Sequence, residues 1–342
     1  MLNTALIGLG RIGWVYHLPE ILKHREYHLC AIADVDPSRL TEADEKCDAR
    51  KYTDYREMLQ KERPDVVVIA SPTPFHKEQA IQAMREGCSV ILDKPMASDL
   101  DSAKEIAAAA AEYQQKITVY QPHRFLALAT VVKRVLDTGV LGEIFQIRRC
   151  ASNYVRRNDW QSLKKYGGGM LNNFGSHYID QLLFFSGEKI NKVFCQLNRI
   201  ATLGDAEDVV KILLQTENGM ILDIDINQAA ALPPEPLLIY GKYGAAKVQT
   251  DASGNESLLV RYYDPTELPA CILKDSLTGP DRRIPLETIP WKEETYPILA
   301  KDNIDYYQKC AQYFNGQAES PVPLGETLQV MELIDSCRRA AE

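Results

Sequence analysis

The sequence predicts an α/β chain in two parts. A doubly wound parallel sheet comes first, and an α+β domain with a large, mainly antiparallel open sheet follows. Strand and helix patterns alternate over the first 120 residues, the rhythm of βαβ units. The run DVVVIAS at 65–71 is β-branched without alternation, the mark of a strand buried on both faces. In the second half, Asn218-Gly219 lies between two strand patterns, a strong hairpin signal.

The elements follow in order. Residues 4–8 are a short apolar strand, 14–23 a helix and 28–34 a second strand. Pro37 suits a first helical turn, and 38–47 continue that helix. The buried strand 65–71 leads to a helix over 75–86, stopped by Gly87 as a C′ residue. A strand at 89–93, an alanine-rich helix at 99–113 and a strand at 117–121 complete the first domain, 1–121.

The second domain, 122–342, opens with a helix over 126–138 and a long strand over 143–157. Residues 170–186 form a helix that begins after three glycines. Strands at 209–215 and 220–227 flank Asn218-Gly219, and 237–240 and 245–250 flank a second glycine-bounded turn. Hairpins of this kind build an antiparallel sheet that can leave one face free, and that face suits a homodimer or homotetramer contact. The Pro- and charge-rich segment 263–296 reads as loop or edge, and 324–341 as the final helix.

Composition narrows the function. The 342 residues are 45% hydrophobic and 25% charged, with a net charge of −8, which argues against a nucleic-acid surface. No apolar run is long enough to span a bilayer, and residues 1–10 lack a basic n-region. Eight scattered cysteines with no CxxC pair suggest neither a zinc site nor a disulfide framework, and no metal is expected. The expected location is cytoplasmic.

Gly8-Leu9-Gly10-Arg11-Ile12-Gly13 reads GxGxxG, after a strand and before a helix, the context that a dinucleotide site needs. The first glycine makes the turn, the second admits a pyrophosphate and the third lets helix and strand pack. This is the Rossmann fingerprint. Asp34 ends the second strand, about 20 residues on, where an acid accepts from ribose hydroxyls. A carboxylate there repels a 2′-phosphate, so NAD is favoured over NADP, with Arg39 nearby as the residue that softens the preference. SPTPFH at 71–76 and DKP at 93–95 follow strands, and ligands of open α/β sheets bind at those carboxyl ends. Pro95 restricts the backbone of Lys94 and so fixes where it points.

These stretches, with YQPHRF at 120–125 and GGGMLNNFGSHYID at 167–180, resemble the glucose-fructose oxidoreductase / inositol dehydrogenase / rhizopine-catabolism (Gfo/Idh/MocA) family. The resemblance covers nearly the whole chain. It implies an NAD(P)-dependent oxidoreductase that moves a hydride between nicotinamide and a hydroxyl of a sugar, cyclitol or sugar acid. The family has Glu-Lys-Pro where this chain has Asp93-Lys94-Pro95, and an aspartate where it has Asn173. The resemblance makes Lys94, His177 and Asn173 the catalytic group. His177 is the expected general base, because its reference pKa lies near neutrality. Asn173 cannot take a proton, so it is expected to orient substrate through its amide.

The expected cofactor contacts are Gly8, Gly10, Arg11, Ile12, Gly13, Asp34, Ser71, Thr73, His76, Asp93, Lys94 and Gln121. The expected substrate contacts are Lys94, Arg124, Tyr154, Arg156, Trp160, Asn173 and His177. Arginines suit acidic groups, and Arg157 and Asp159 lie in the same stretch. Tyr16 and His17, on the first helix, are placed at the rim. The expected partner is a carbohydrate or polyol, with neither nucleic acid nor membrane. Two rival readings stand beside this one: a redox-neutral, NAD-dependent glycoside-cleaving enzyme, and a non-catalytic nucleotide sensor.

Overall fold

The computed structural model describes residues 1–268 and 288–342. The first sheet contains β1 (Leu2–Ile7), β2 (Tyr27–Ala33), β3 (Arg50–Tyr52), β4 (Val66–Ile69), β5 (Ser89–Leu92) and β6 (Ile117–Val119). It is parallel throughout, in the order β3-β2-β1-β4-β5-β6. The order reverses between β1 and β4, which opens a crevice at their carboxyl ends. Five helices join the strands: α1 (Leu18–Lys23), α2 (Pro37–Glu42), α3 (Tyr55–Glu62), α4 (His76–Arg85) and α5 (Leu100–Glu112). Asp36, Asp54 and Asp99 cap α2, α3 and α5 by accepting from free backbone N–H groups, which fixes where each helix starts.

α6 (Ala127–Asp137), β7 (Ile144–Ser152) and α7 (Ser176–Ser186) come next. Strands β8 (Ile190–Asn198), β9 (Val209–Thr216), β10 (Ile221–Asn227), β11 (Leu237–Gly241), β12 (Gly244–Thr250), β13 (Glu256–Tyr262) and β14 (Lys292–Pro297) follow. With β7 they form one sheet in the order β14-β13-β12-β11-β7-β10-β9-β8. All its neighbours are antiparallel except the central pair β7 and β10. Both expected hairpins are present. Strand β7 ends at Ser152, short of the expected 157, because residues beyond it turn across the site. Of the segment 263–296, the described part holds a short 3₁₀ turn at Pro265–Glu267 and the edge strand β14. The remainder lies outside the described residues.

One face of the second sheet, including Ile147, Ile212, Ile224 and Ile239, is buried in a core that also holds Ile179 of α7. That core runs without a break into Ile7, Ile69 and Leu92 of the first sheet. Helix α9 (Leu324–Ala340) packs against α5 and β6 on one side and against α7 and β8 on the other. It is the expected final helix.

Helix α8 (Tyr306–Phe314) packs across the expected boundary. It was assigned with 122–342, yet its Tyr306, Tyr307 and Cys310 lie in the core with Leu6, Ile21, Val68 and Ile91 of the first domain. The reason is geometric. Helices α3, α4 and α5 all lie on one face of the parallel sheet, whereas α1 and α2 lie on the other. Without α8, Val68 and Ile91 would face water on that second face. The chain therefore passes between the domains near Phe125 and again near Ile304, and these two passages are tied together. Ile304 N–H donates to the Phe125 carbonyl at 2.8 Å, and Ala127 N–H to Asn303 Oδ1 at 2.7 Å. Among the described residues, no helix is long and apolar enough to cross a membrane.

Candidate functional site

A cavity of about 990 Å³ opens at the carboxyl ends of β1, β4 and β5 and reaches the start of α7. Gly8, with φ +93°, turns the chain, and a Cβ there would lie 2.8 Å from Ser71 N. A Cβ on Gly13 would collide with the Gly8 carbonyl, so this glycine serves packing. A Cβ on Gly10 would meet nothing within 4 Å, and Gly10 lines the open cavity. That cradle fits a pyrophosphate, as the motif requires. Arg11 and Ile12 line it too. Asp34, at the end of β2, accepts from Leu9 N–H at 2.7 Å and from Asp36 N–H at 2.9 Å. Its carboxylate thus braces the glycine loop and faces the same cavity. Arg39 lies 3.5 Å from it. The residues present fit a dinucleotide.

The chemistry end lies between Lys94 and α7. Lys94 Nζ donates to the Asn173 carbonyl at 2.8 Å and to Asn173 Oδ1 at 3.2 Å. Burial, partly offset by the Asp93 carboxylate, pushes its pKa down to about 8. His177 lines the same cavity. Burial, then Lys94, then His123 hold its pKa well below the ordinary histidine value. Asp93 Oδ1 accepts from Lys94 N–H at 2.9 Å and also faces the cavity, as do Ser71 and Thr73.

Asn173 and His177 reach the cavity from an irregular helix. Residues Leu171–Gly175 form a π-helical turn that leads directly into α7, a distortion frequent at functional sites. The three glycines before it are explained by backbone. Gly167 and Gly169 have φ of +72° and +110°. A Cβ on Gly168 would collide with the Gln161 carbonyl, and one on Gly169 with the Glu207 carboxylate. Glu207 Oε1 accepts from Leu171 N–H at 3.1 Å, which anchors the start of the turn. Asn172 is structural, bonded to the Gly167 carbonyl and to Arg338.

Several expected contacts belong elsewhere. His76 is buried, with Nδ1 2.9 Å from the Pro95 carbonyl and Nε2 2.8 Å from the Ser71 carbonyl. It braces the two loops and does not line the cavity. Gln121 is buried away from the cavity. Arg124 grips Asp180 of α7 through two bonds, at 2.7 and 2.6 Å, and also reaches Glu326 of α9. It clamps the two helices together and does not line the cavity. Tyr154 and Arg156 are exposed outside the cavity, because Tyr154 bridges back to Ala229. Trp160 does line it, with Arg157 and Asp159. Tyr16 stacks on Tyr120 at 4.5 Å, and His17 bonds Tyr307 at 2.7 Å, both behind the site. Sequence reasoning missed Tyr120, Phe174 and Gln161, which also line the cavity. It also missed His123, whose ring stacks on His177.

Residues 2–121 match the profile of an oxidoreductase family with an NAD-binding Rossmann fold. Residues 130–247 match the GFO/IDH/MocA C-terminal domain. Among relatives, the D-glucoside 3-dehydrogenase of Escherichia coli is 29% identical over 54% of this chain and 54% of its own length. The inositol 2-dehydrogenase of Pseudarthrobacter chlorophenolicus is 27% identical over 66% of each chain. The aligned stretch thus falls short of two thirds of either relative. The WlbA dehydrogenase from Bordetella pertussis, solved with NADH and UDP-GlcNAcA, superposes with a TM-score of 0.77. It is 23% identical and covers 99% of this chain and 95% of its own, a likeness of fold.

Proposed function

The chain belongs to the Gfo/Idh/MocA oxidoreductase family, and on that premise we propose that it oxidises one secondary hydroxyl of an uncharged sugar or cyclitol, or reduces the matching ketone. Bound in the glycine-loop cradle, NAD would supply the hydride acceptor. The observation that carries the reading is Lys94. Its amine lies in the cavity, hydrogen-bonded to Asn173 and, among the described residues, in no ion pair with a carboxylate. A lysine with a pKa of about 8 holds a useful fraction of neutral amine near physiological pH, which suits proton transfer.

Lys94, not His177, is therefore the proton acceptor in this proposal. As the alcohol loses a hydride, its hydroxyl proton passes to Nζ and a carbonyl is left. His177 is the poorer acceptor, because burial and the nearby Lys94 hold its pKa well below the ordinary histidine value. It acts instead as a neutral hydrogen-bond partner that orients the hydroxyl. Asn173 holds the amine in place through two oxygens.

An uncharged substrate follows from the arginine at this end of the cavity. Arg157 is already paired with Asp159 at 2.8 and 3.0 Å, so it offers no free guanidinium to an acid. The relatives' activities on a glucoside and on inositol agree with that class. NAD over NADP rests on the Asp34 carboxylate at the ribose end.

The test is a panel of neutral glycosides, cyclitols and their uronic acids with NAD, followed by NADH absorbance. Net NADH from a neutral member, lost in Lys94→Met, is expected. Turnover of the acids alone, or full activity in Lys94→Met, would overturn the reading.

A further inference from the structure

The imidazole of His177 lacks the usual support of a catalytic histidine. Such a ring is ordinarily fixed through its second nitrogen, bonded to a carboxylate or a backbone carbonyl. Here Nδ1 of His177 is buried with no hydrogen-bond partner among the described residues. What lies against the ring is His123, with centroids 4.4 Å apart and planes within 2° of parallel.

His123 is itself held at several points. Its carbonyl accepts from Gln181 Nε2 at 3.2 Å. Tyr178 lies against its ring at 5.6 Å. The next residue, Arg124, is locked to Asp180. Gln181, Tyr178 and Asp180 all belong to α7, the helix that carries His177. The short turn Pro122–Arg124 is thus fastened to that helix by both backbone and side chain, and the two rings keep one register.

We propose that His123 is a positioning residue: its stacked ring stands in for the missing hydrogen bond and holds the His177 imidazole in one orientation, with Nε2 toward the cavity. This rests on the reading that His177 meets the substrate hydroxyl. Electrostatics act in the same direction. The charged groups that bear on the pair are cations: Lys94, after β5, on both rings, and Arg149, from β7, on His123. On α7 itself, Tyr178 is uncharged. Arg157 and Asp159, in the loop beyond β7, neutralise each other. Burial and these cations push His123 down to about 3, so both rings stay neutral and stack without repulsion. Of Lys94, His123 and His177, only Lys94 is left to carry a charge.

The test combines ring NMR with kinetics. Protein labelled with ¹³C,¹⁵N-histidine and saturated with NAD is titrated from pH 8 to 5. In the unaltered protein, ring-current shifts move the His177 ring protons upfield, and the ring stays neutral throughout. His123→Phe, which keeps a flat ring, is expected to preserve both features. His123→Ala is expected to lose the upfield shift and to broaden the His177 signals. Turnover of methyl β-D-glucoside and myo-inositol is followed in parallel. His123→Ala lowers kcat on the order of tenfold with KM little changed, as for misorientation of a bound partner, and His123→Phe restores it.

Unchanged His177 resonances in His123→Ala, or a His177 ring that titrates near pH 6.5, would overturn the proposal. His177→Ala separates the two claims. If it retains full turnover, the catalytic reading falls while the spectra still decide the stack. Should His123→Ala melt near room temperature, the spectra and rates of His123→Phe and His123→Leu decide instead. Flat-ring and branched substituents giving the same result would refute the stack.

Discussion

At the scale of single residues, Lys94 sets the pH behaviour. Its pKa in the folded protein, about 8, lies below the ordinary lysine value of 10.5. The amine that accepts a proton is the minority form at pH 7 and the majority above pH 8. Oxidation, measured as kcat/KM against pH, is expected to rise through about pH 8 and then level off. Asn173→Asp would place a carboxylate against Nζ and favour the ammonium. That variant is expected to move the rise upward by roughly one pH unit or more.

The same shift bears on stability. Between about pH 8 and 10.5 the unfolded chain binds a proton that the folded lysine has released, so the contribution of this group to stability rises with pH. Below pH 8 the buried ammonium opposes folding. Lys94→Met is therefore expected to abolish turnover, by at least roughly 10²-fold, and yet to raise the Tm at pH 7 by a few degrees, on the order of 1–3 °C. Calorimetry beside the kinetic assay checks both signs.

At the scale of elements, the helix of His177 is held by ionic and backbone ties more than by helix propensity. Arg124 joins it to α9 by pairing with Asp180, which is fully buried, on one side and with Glu326 on the other. Arg124→Ala strands that carboxylate and should cost about 3–5 kcal/mol, read from urea unfolding. Gly169→Ala sets a side chain at φ +110° and against Glu207, so it should cost at least roughly 1–2 kcal/mol and disturb Asn173.

Elements with strong local signals were legible in the sequence: the buried run of β4, the Asn218-Gly219 hairpin, and the glycine loop after β1. Those without one were not. Strand β3 has three residues, none of them fully buried. The YYQKCAQYF of α8 finds its partners about 280 residues earlier, where no local pattern points. In the site, the ion pairs of Arg124 were not legible, because a buried arginine and a substrate arginine look alike in one dimension. His123 was passed over because stacking on a residue 54 positions later leaves no periodic trace.

At the scale of the whole molecule, the core is continuous from the parallel sheet to the second sheet, and α8 covers the exposed face of the first domain. A fragment of residues 1–121 is expected to lack tertiary structure by near-UV circular dichroism, with Val68 and Ile91 uncovered. The full chain should unfold in one calorimetric transition with matching calorimetric and van't Hoff enthalpies, the sign of a single cooperative unit.

The two passages of chain between the lobes, near Phe125 and Ile304, run side by side and are bonded to each other. A single tether would let one lobe twist freely on the other. A laced pair, with α9 packed against both lobes, resists that twist. With that twist resisted, the Lys94 amine is kept against one turn of the facing helix, so alignment of the reacting groups is inherited from connectivity.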